Sequence, residues 1–195
     1  ADWNSLAIAA LAEAALVFGS QEWLDAAQDA HAAVLQTFWD GTTLLHSHRA
    51  GKTRHRATAH DYAQLIECSL VLAGATGDTR LLDTALTLHA AFERQHWSTD
   101  HSGFLLTATA TNDLPANDIT IQDDVTPSPN AVMIRVYIRL GYIFGDRHWH
   151  DRAETMLRRH IKPALDNPFA APSLLGAAAF ARQTWQLSLY GIEAP

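Results

Sequence analysis

An all-α array of helical hairpins is the fold class this sequence predicts, and three observations predict it. The first is a phrase repeated three times, a glycine turn with an aromatic residue or leucine four positions later: Gly19-Ser-Gln-Glu-Trp23, Gly77-Asp-Thr-Arg-Leu81 and Gly145-Asp-Arg-His-Trp149. The second is register. Stepping back the same distance from each glycine lands on Asn4, Tyr62 and Asn130, at or near the start of the preceding helix. The third is loop placement, since each long connection joins the second helix of one hairpin to the first helix of the next. A repeat of about 60 residues with one hairpin per copy means an array or toroid, with the long loops and the three register residues on one rim.

The elements follow in order. The first hairpin is expected at about Asn4 to Gly19 and Gln21 to Trp39; Trp23, Ala26, Ala27, Ala30, Val34 and Phe38 recur at helical steps. Asp40-Gly41 and Ala50-Gly51 bracket Leu44-Leu45-His46-Ser47-His48, which reads as a short strand pair or extended loop. The second hairpin spans 60–76 and 78–96, with Asp78 as the cap after Gly77. A long connection, 97–128, holds the extended run from Gly103 and then a polar stretch; a loop of that length in a compact domain is usually functional or disordered. The third hairpin takes 130–144 and 146–161. Pro163 and Pro168 then break the chain before a seventh helix, Ser173 to Leu187. Trp23 and Trp149 are expected in the core by their helical spacing.

Composition narrows the function classes. The 195 residues suffice for one domain, 1–195, and 48% hydrophobic with 18% charged is an ordinary globular balance. A net charge of -7 argues against nucleic acid or an anionic membrane as partner. Protonating the 11 histidines would bring that charge near zero below about pH 6. The single cysteine, Cys68, lies among Leu65, Ile66, Leu70 and Val71 and reads as a core thiol. Leu6 to Phe18 lacks a basic leader and carries Glu13, so it does not read as a signal peptide, and cytoplasm is the default compartment.

Four segments resemble a known family. Trp3-Asn4-Ser5-Leu6-Ala7-Ile8-Ala9-Ala10-Leu11-Ala12 resembles the Trp-Asn-Gly-Leu-Met-Ile-x-Ala-Leu-Ala segment of the YyaL/spermatogenesis-associated thioredoxin-like family. His60-Asp61-Tyr62-Ala63-Gln64-Leu65-Ile66 is similar to its Asp-Asp-Tyr-Ala-x-Leu-Ile, and Ser102-Gly103-Phe104 to its Gly-Gly-Phe strand. Asp123-Asp124-Val125-Thr126-Pro127-Ser128-Pro129-Asn130 looks like its Asp-Gly-Ala-x-Pro-Ser-Gly-Asn motif. The resemblance implies a partial (α/α)6 toroid with short β-hairpin-like loops on one rim, similar to N-acylglucosamine 2-epimerases and other six-hairpin sugar enzymes. It corresponds to the C-terminal, toroid portion alone; there is no Cys-x-x-Cys, so no thioredoxin chemistry carries over. His60 stands where the family has its first carboxylate, and Pro129 where it has glycine.

These readings nominate a site. Asp61, at a helix start, is either an N-terminal cap or a general acid/base, and His60 could tune it or act as base. Asp123 and Asp124 form a paired acid suited to glycosidic hydrolysis or proton abstraction, or are simply solvated, with Asp123 aligned to the family's aspartate. Trp3, Asn4, Tyr62, Phe104, Ser128 and Asn130 are the substrate-binding candidates, on a common concave face. Asn also caps helices well, so Asp61→Asn is expected to spare stability. His46, His48, His55 and His60 have metal-ligating atoms, but 41–59 holds no carboxylate, so neither metal nor cofactor is expected. The basic residues Arg49, Lys52, Arg54 and Arg56 suit an anionic substrate group instead. The expected function is a carbohydrate-active domain, epimerase/isomerase-like or hydrolase-like, acting on a small sugar; the alternative is a non-catalytic carbohydrate- or protein-binding module. About three and a half hairpins, half of a toroid or a fragment of one, leave apolar terminal helices, so a homo-oligomer or a missing N-terminal half of the same protein is expected to cover them.

Overall fold

The structure, a computed structural model, describes residues 1–109 and 118–183. Among these are seven helices: α1 (Asp2–Phe18), α2 (Gln21–Phe38), α3 (Ala59–Thr76), α4 (Arg80–His96), α5 (Pro129–Phe144), α6 (Arg147–Asp166) and α7 (Pro172–Gln183). Two antiparallel strand pairs, β1 (Leu45–Arg49) with β2 (Lys52–Arg56) and β3 (Trp97–Ser98) with β4 (Gly103–Phe104), lie in the connections after α2 and α4. The three repeated glycines end α1, α3 and α5 in left-handed backbone, at φ 66, 70 and 63°, a region that glycine enters without the penalty a side chain incurs.

Sequence character sorts the helices into two layers. α3 and α5 bury nearly every residue of their first three turns, so they are inner helices enclosed by neighbours. α2, α4 and α6 bury only a stripe, such as Ala85, Leu88, His89, Ala91, Phe92 and His96 on α4. The inner layer runs α1–α3–α5–α7, and α2, α4 and α6 each cover the inner helix that precedes them. All four inner helices therefore start on the same rim. Between the layers, Phe92 stacks on Tyr62 at 5.1 Å and on Phe104 at 4.1 Å, and Arg152 lies 3.8 Å over the Trp97 ring while pairing with Glu93. Glu67 of α3 accepts two hydrogen bonds from Arg135 of α5, at 3.2 and 2.9 Å, joining the central inner helices.

Several local expectations change. The α4 cap is Thr79, while Asp78 accepts from the Arg80 N–H and grips its guanidinium. Pro163 lies inside α6 instead of ending it; both Pro163 and Arg159, whose carbonyl loses its partner, face solvent, where water can replace the missing bond. Trp23 is 40% exposed and packs edge-on against the exposed Phe18, so it is not core. The end of the seventh helix as expected, 184–187, lies outside the described residues. On α1, Trp3, Leu16, Val17 and Phe18 are exposed, and an apolar groove of about 370 Å³ between α1 and α2 is lined by Ile8, Leu11, Ala30 and Val34 among others. No helix among the described residues is long and apolar enough to cross a membrane.

Five histidines, His31, His60, His89, His96 and His160, are held below their usual pKa of 6.5, in each case chiefly by burial. His89 falls to about 4; Nε2 shares a 3.0 Å hydrogen bond with the Tyr137 hydroxyl, and its ring lies edge-on to Trp149. The simple charge count from 11 histidines therefore overstates what the folded protein takes up on acidification. The sign of the linkage is fixed. The unfolded chain protonates these rings first, near pH 6.5, so stability is full above that pH and falls as pH drops toward about 4. Thermal melts across pH 7 to 4 should show a steadily falling midpoint; a midpoint that is flat over the window would contradict this account.

Candidate functional site at the inner-helix rim

The rim is built around two aspartates that each tie together the starts of two inner helices. Asp61, completely buried in the first turn of α3, reaches back to its own helix start as the carboxylate half of a capping box: Oδ2 accepts from Thr58 N–H at 2.8 Å and from the Thr58 hydroxyl at 3.0 Å. Oδ1 accepts from the Ala1 nitrogen at 2.7 Å and from Asp2 N–H at 3.1 Å, so the same carboxylate caps α1, whose own N-cap Ala1 has no side-chain acceptor. His46 Nδ1, from β1, lies 2.8 Å from Oδ2. Burial acts to raise the Asp61 pKa, but hydrogen bonds from the Ala1 nitrogen, His46 and Thr58 hold it below the usual carboxylate value.

Asp123 repeats this device one pair along. Its Oδ1 accepts from Ser128 N–H, at the cap of α5, and its Oδ2 from Ser173 N–H, in the first turn of α7, both at 2.7 Å. Between the two aspartates, His60 Nδ1 sits 3.3 Å from the Thr126 hydroxyl, joining the start of α3 to the loop that precedes α5. One polar seam thus runs across all four inner-helix starts.

His60 is the titratable group at the centre of this seam. It is half-buried, and four carboxylates, Asp2, Asp61, Asp124 and Asp123, lie near enough to favour its charged form; burial outweighs them and lowers its pKa, leaving a neutral imidazole at pH 7. One helical turn deeper on the same face of α3, Gln64 is 2% exposed and its Nε2 has no hydrogen-bond partner. Asp124 is exposed at the rim.

The remaining nominated residues divide sharply. Tyr62 and Phe104 are fully buried in the Phe92 stack, and the Tyr62 hydroxyl accepts from Leu44 N–H at 2.9 Å. Asn130, 1% exposed, accepts from Phe104 N–H at 2.8 Å and donates to the carbonyls of Phe104 and Thr120, both at 3.0 Å. Tyr62 and Asn130 therefore share one job in successive repeats, clamping the extended segment that follows the outer helix. Gly103 permits it, since a Cβ there would come within 3.0 Å of Asn130 Oδ1. Ser128 is buried as the α5 cap, accepting from Ala131 N–H and donating to the Thr120 carbonyl. Asn4, the third residue in the register, is exposed and lines the α1–α2 groove, and Trp3 beside it is 68% exposed. Asn4, Tyr62 and Asn130 thus do not share a concave face. Sequence reasoning passed over Asp2, the Asp61 role of His46, and Gln64; Gln64 had a signal, being one turn from His60 inside the motif already singled out.

Asp61→Ala should cost about 3 kcal/mol, because it leaves buried N–H donors of two helix starts unsatisfied. Asp61→Asn should cost about 2 kcal/mol as well, since either orientation turns an NH2 group toward N–H donors. This reverses the expectation that Asn would spare stability. Urea unfolding of both variants checks it; a near-wild-type Asn variant would contradict the geometry.

No protein-family model matches the chain. It is similar to spermatogenesis-associated protein 20 from rat, 24% identical over 94% of this chain, and from human, 23% identical over 94%; it spans about a quarter (25%) of the length of these relatives. Among solved structures it resembles a GH76 α-mannanase from Bacteroides thetaiotaomicron, with a TM-score of 0.72 and 14% identity over 93% of this chain and 52% of that one. The similarity to the spermatogenesis-associated protein agrees with the resemblance carried by the four motifs, and the chain has the fold of an α/α-toroid segment.

Proposed function

We propose that the inner-helix rim is a carbohydrate-binding and carbohydrate-processing site in which His60 transfers the proton. The observation that carries this reading is the neutral, half-buried imidazole set among Asp2, Asp61, Asp123 and Asp124 where four inner helices begin. A neutral imidazole is a competent general base near neutral pH. The engaged oxygens of Asp61 and Asp123 make them positioning groups that hold the loops and helix starts around it. Asp124, exposed at the rim, supplies an acceptor for sugar hydroxyls. The α-mannanase likeness in fold and the sugar-enzyme resemblance of the motifs support a saccharide as ligand.

A second reading, a non-catalytic carbohydrate-binding module, is favoured by one specific observation: both carboxylates nominated for acid/base work are bound up in helix caps. Calorimetric titration with a panel of mono- and oligosaccharides, followed by turnover assays on each binder, separates the two.

On the catalytic reading, His60→Gln lowers kcat/KM by about 100-fold while leaving the thermal midpoint nearly unchanged. The pH profile is also set. Activity stays level above pH 6.5 and falls on the acid side, as protonation removes the base. Binding without turnover establishes the module; a panel with no binder sinks both readings.

A further inference from the structure

We propose that the outward face of the β1–β2 hairpin is an oxyanion site that receives the carboxylate or phosphate of an anionic saccharide. The inference rests on the sugar reading for the identity of the ligand and on the hairpin itself for the site. The register pairs Leu45 with Arg56, Ser47 with Arg54 and Arg49 with Lys52. Directly opposed residues share a face and alternate residues along a strand return to it, so Arg49, Lys52 and Arg54 project from one side, and Arg56, the fourth cation of the hairpin, ends β2.

The opposite side carries the hairpin's bonds to the rest of the chain. His46 is bonded to Asp61, His48 Nδ1 lies 2.9 Å from the Thr53 hydroxyl, and Thr53 Oγ1 donates to the Thr37 carbonyl at 3.3 Å. The His48 ring lies edge-on to Phe38. Arg49, Lys52, Arg54 and Arg56 are all exposed.

That face is built for an absent partner of opposite charge. Like charges set directly across a strand pair destabilise it, yet Arg49 opposes Lys52, and 41–59 carries no carboxylate. Among the described residues, none of the four cations forms an ion pair with a carboxylate. Ala50 and Gly51, at φ 50 and 73°, form the two-residue turn that a hairpin of this register requires, while His55, at φ 61°, is a non-glycine residue in left-handed backbone outside the turn. Ser47, Arg49, Ala50, Lys52, Arg54 and His55 line a concavity of about 540 Å³, within the size range of small-ligand sites. Two arginines in one concavity suit bidentate recognition of carboxylate or phosphate. The overall charge of -7 works against a polyanion such as nucleic acid or an anionic bilayer, and leaves a small anionic ligand as the fit. Because His46 is held by Asp61, the hairpin rises directly from the proposed sugar site.

The test is an amide NMR titration of the full chain with glucuronate, glucose 6-phosphate, glucose and inorganic phosphate. Saturable shifts across Leu45–Arg56 are expected with glucuronate or glucose 6-phosphate, with affinity about tenfold above that for glucose. Which of the two binds tighter identifies the anion. The double variant Arg49→Glu/Arg54→Glu should abolish the preference; Arg49→Gln/Arg54→Gln serves if charge reversal unfolds the chain. Hairpin shifts with the anionic sugars but none at His60 would uphold the oxyanion site and overturn the rim reading. Anionic sugars that bind no tighter than glucose, leave the hairpin unshifted, or bind the double variant equally would overturn this inference, whatever His60 reports. Preference for phosphatidylglycerol vesicles over both anionic sugars would also overturn it.

Discussion

Each of two carboxylates at this rim serves two helix starts at once, and the inner layer depends on that sharing. An inner helix leaves its first N–H groups without partners, and packing these ends side by side removes much of the water that would otherwise satisfy them. Asp61 answers for α1 and α3, and Asp123 for α5 and α7, with His60 and Thr126 closing the gap between the pairs. The helix dipoles reinforce the arrangement, since all four positive ends point toward these carboxylates. Loop placement follows, because His46 of the hairpin and Ala170 ahead of α7 are both held by the same two aspartates.

This division of labour explains why the rim's conspicuous acids are poor candidates for proton transfer. The Asp61 oxygens already accept two and three hydrogen bonds, which stabilise its ionised form, and each Asp123 oxygen is tied to a helix-start N–H, so neither carboxylate has much freedom to move toward a substrate. Between them lies His60, held below its ordinary pKa by burial, which stands in the position of a carboxylate in the motif it resembles. Beneath it, Gln64 and the Glu67–Arg135 pair extend polar character down the same face of α3.

Much of the architecture was legible in the sequence, because it is written in local terms. The three glycine turns, the seven helices and the strand pair bracketed by Asp40-Gly41 and Ala50-Gly51 all follow from short-range chemistry. The common register of Tyr62 and Asn130 was also real, but its meaning was not readable. Both clamp an extended segment in the core, a job that depends on Leu44 and Phe104 arriving from elsewhere in the chain. Asn4 has the same register but is exposed in the α1–α2 groove. The partnerships of Asp61 with Asp2 and of Asp123 with Ser173 join residues far apart in sequence, so a helix-start aspartate could be read as a local cap or a catalytic acid and not as a bridge between helices. Trp23 shows the converse limit, since helical spacing marks a stripe but not whether a neighbour covers it.

The one-dimensional packing order has a consequence for how the molecule opens. Among the described residues, α3 packs between α1 and α5, and α5 between α3 and α7, while the main inner-layer packing of α1 is on α3 and that of α7 on α5. In such an array, a unit flanked on both sides is held more firmly than one packed chiefly on one side, and units come apart as cooperative blocks before the whole does. The α1–α2 hairpin is released when the Asp61 bridge lets go. That event also frees the His46 bond and with it the anchor of the β1–β2 hairpin. Amide exchange should therefore be slowest in α3 and α5, with α1, α2 and the strand pair exchanging together as a single faster unit.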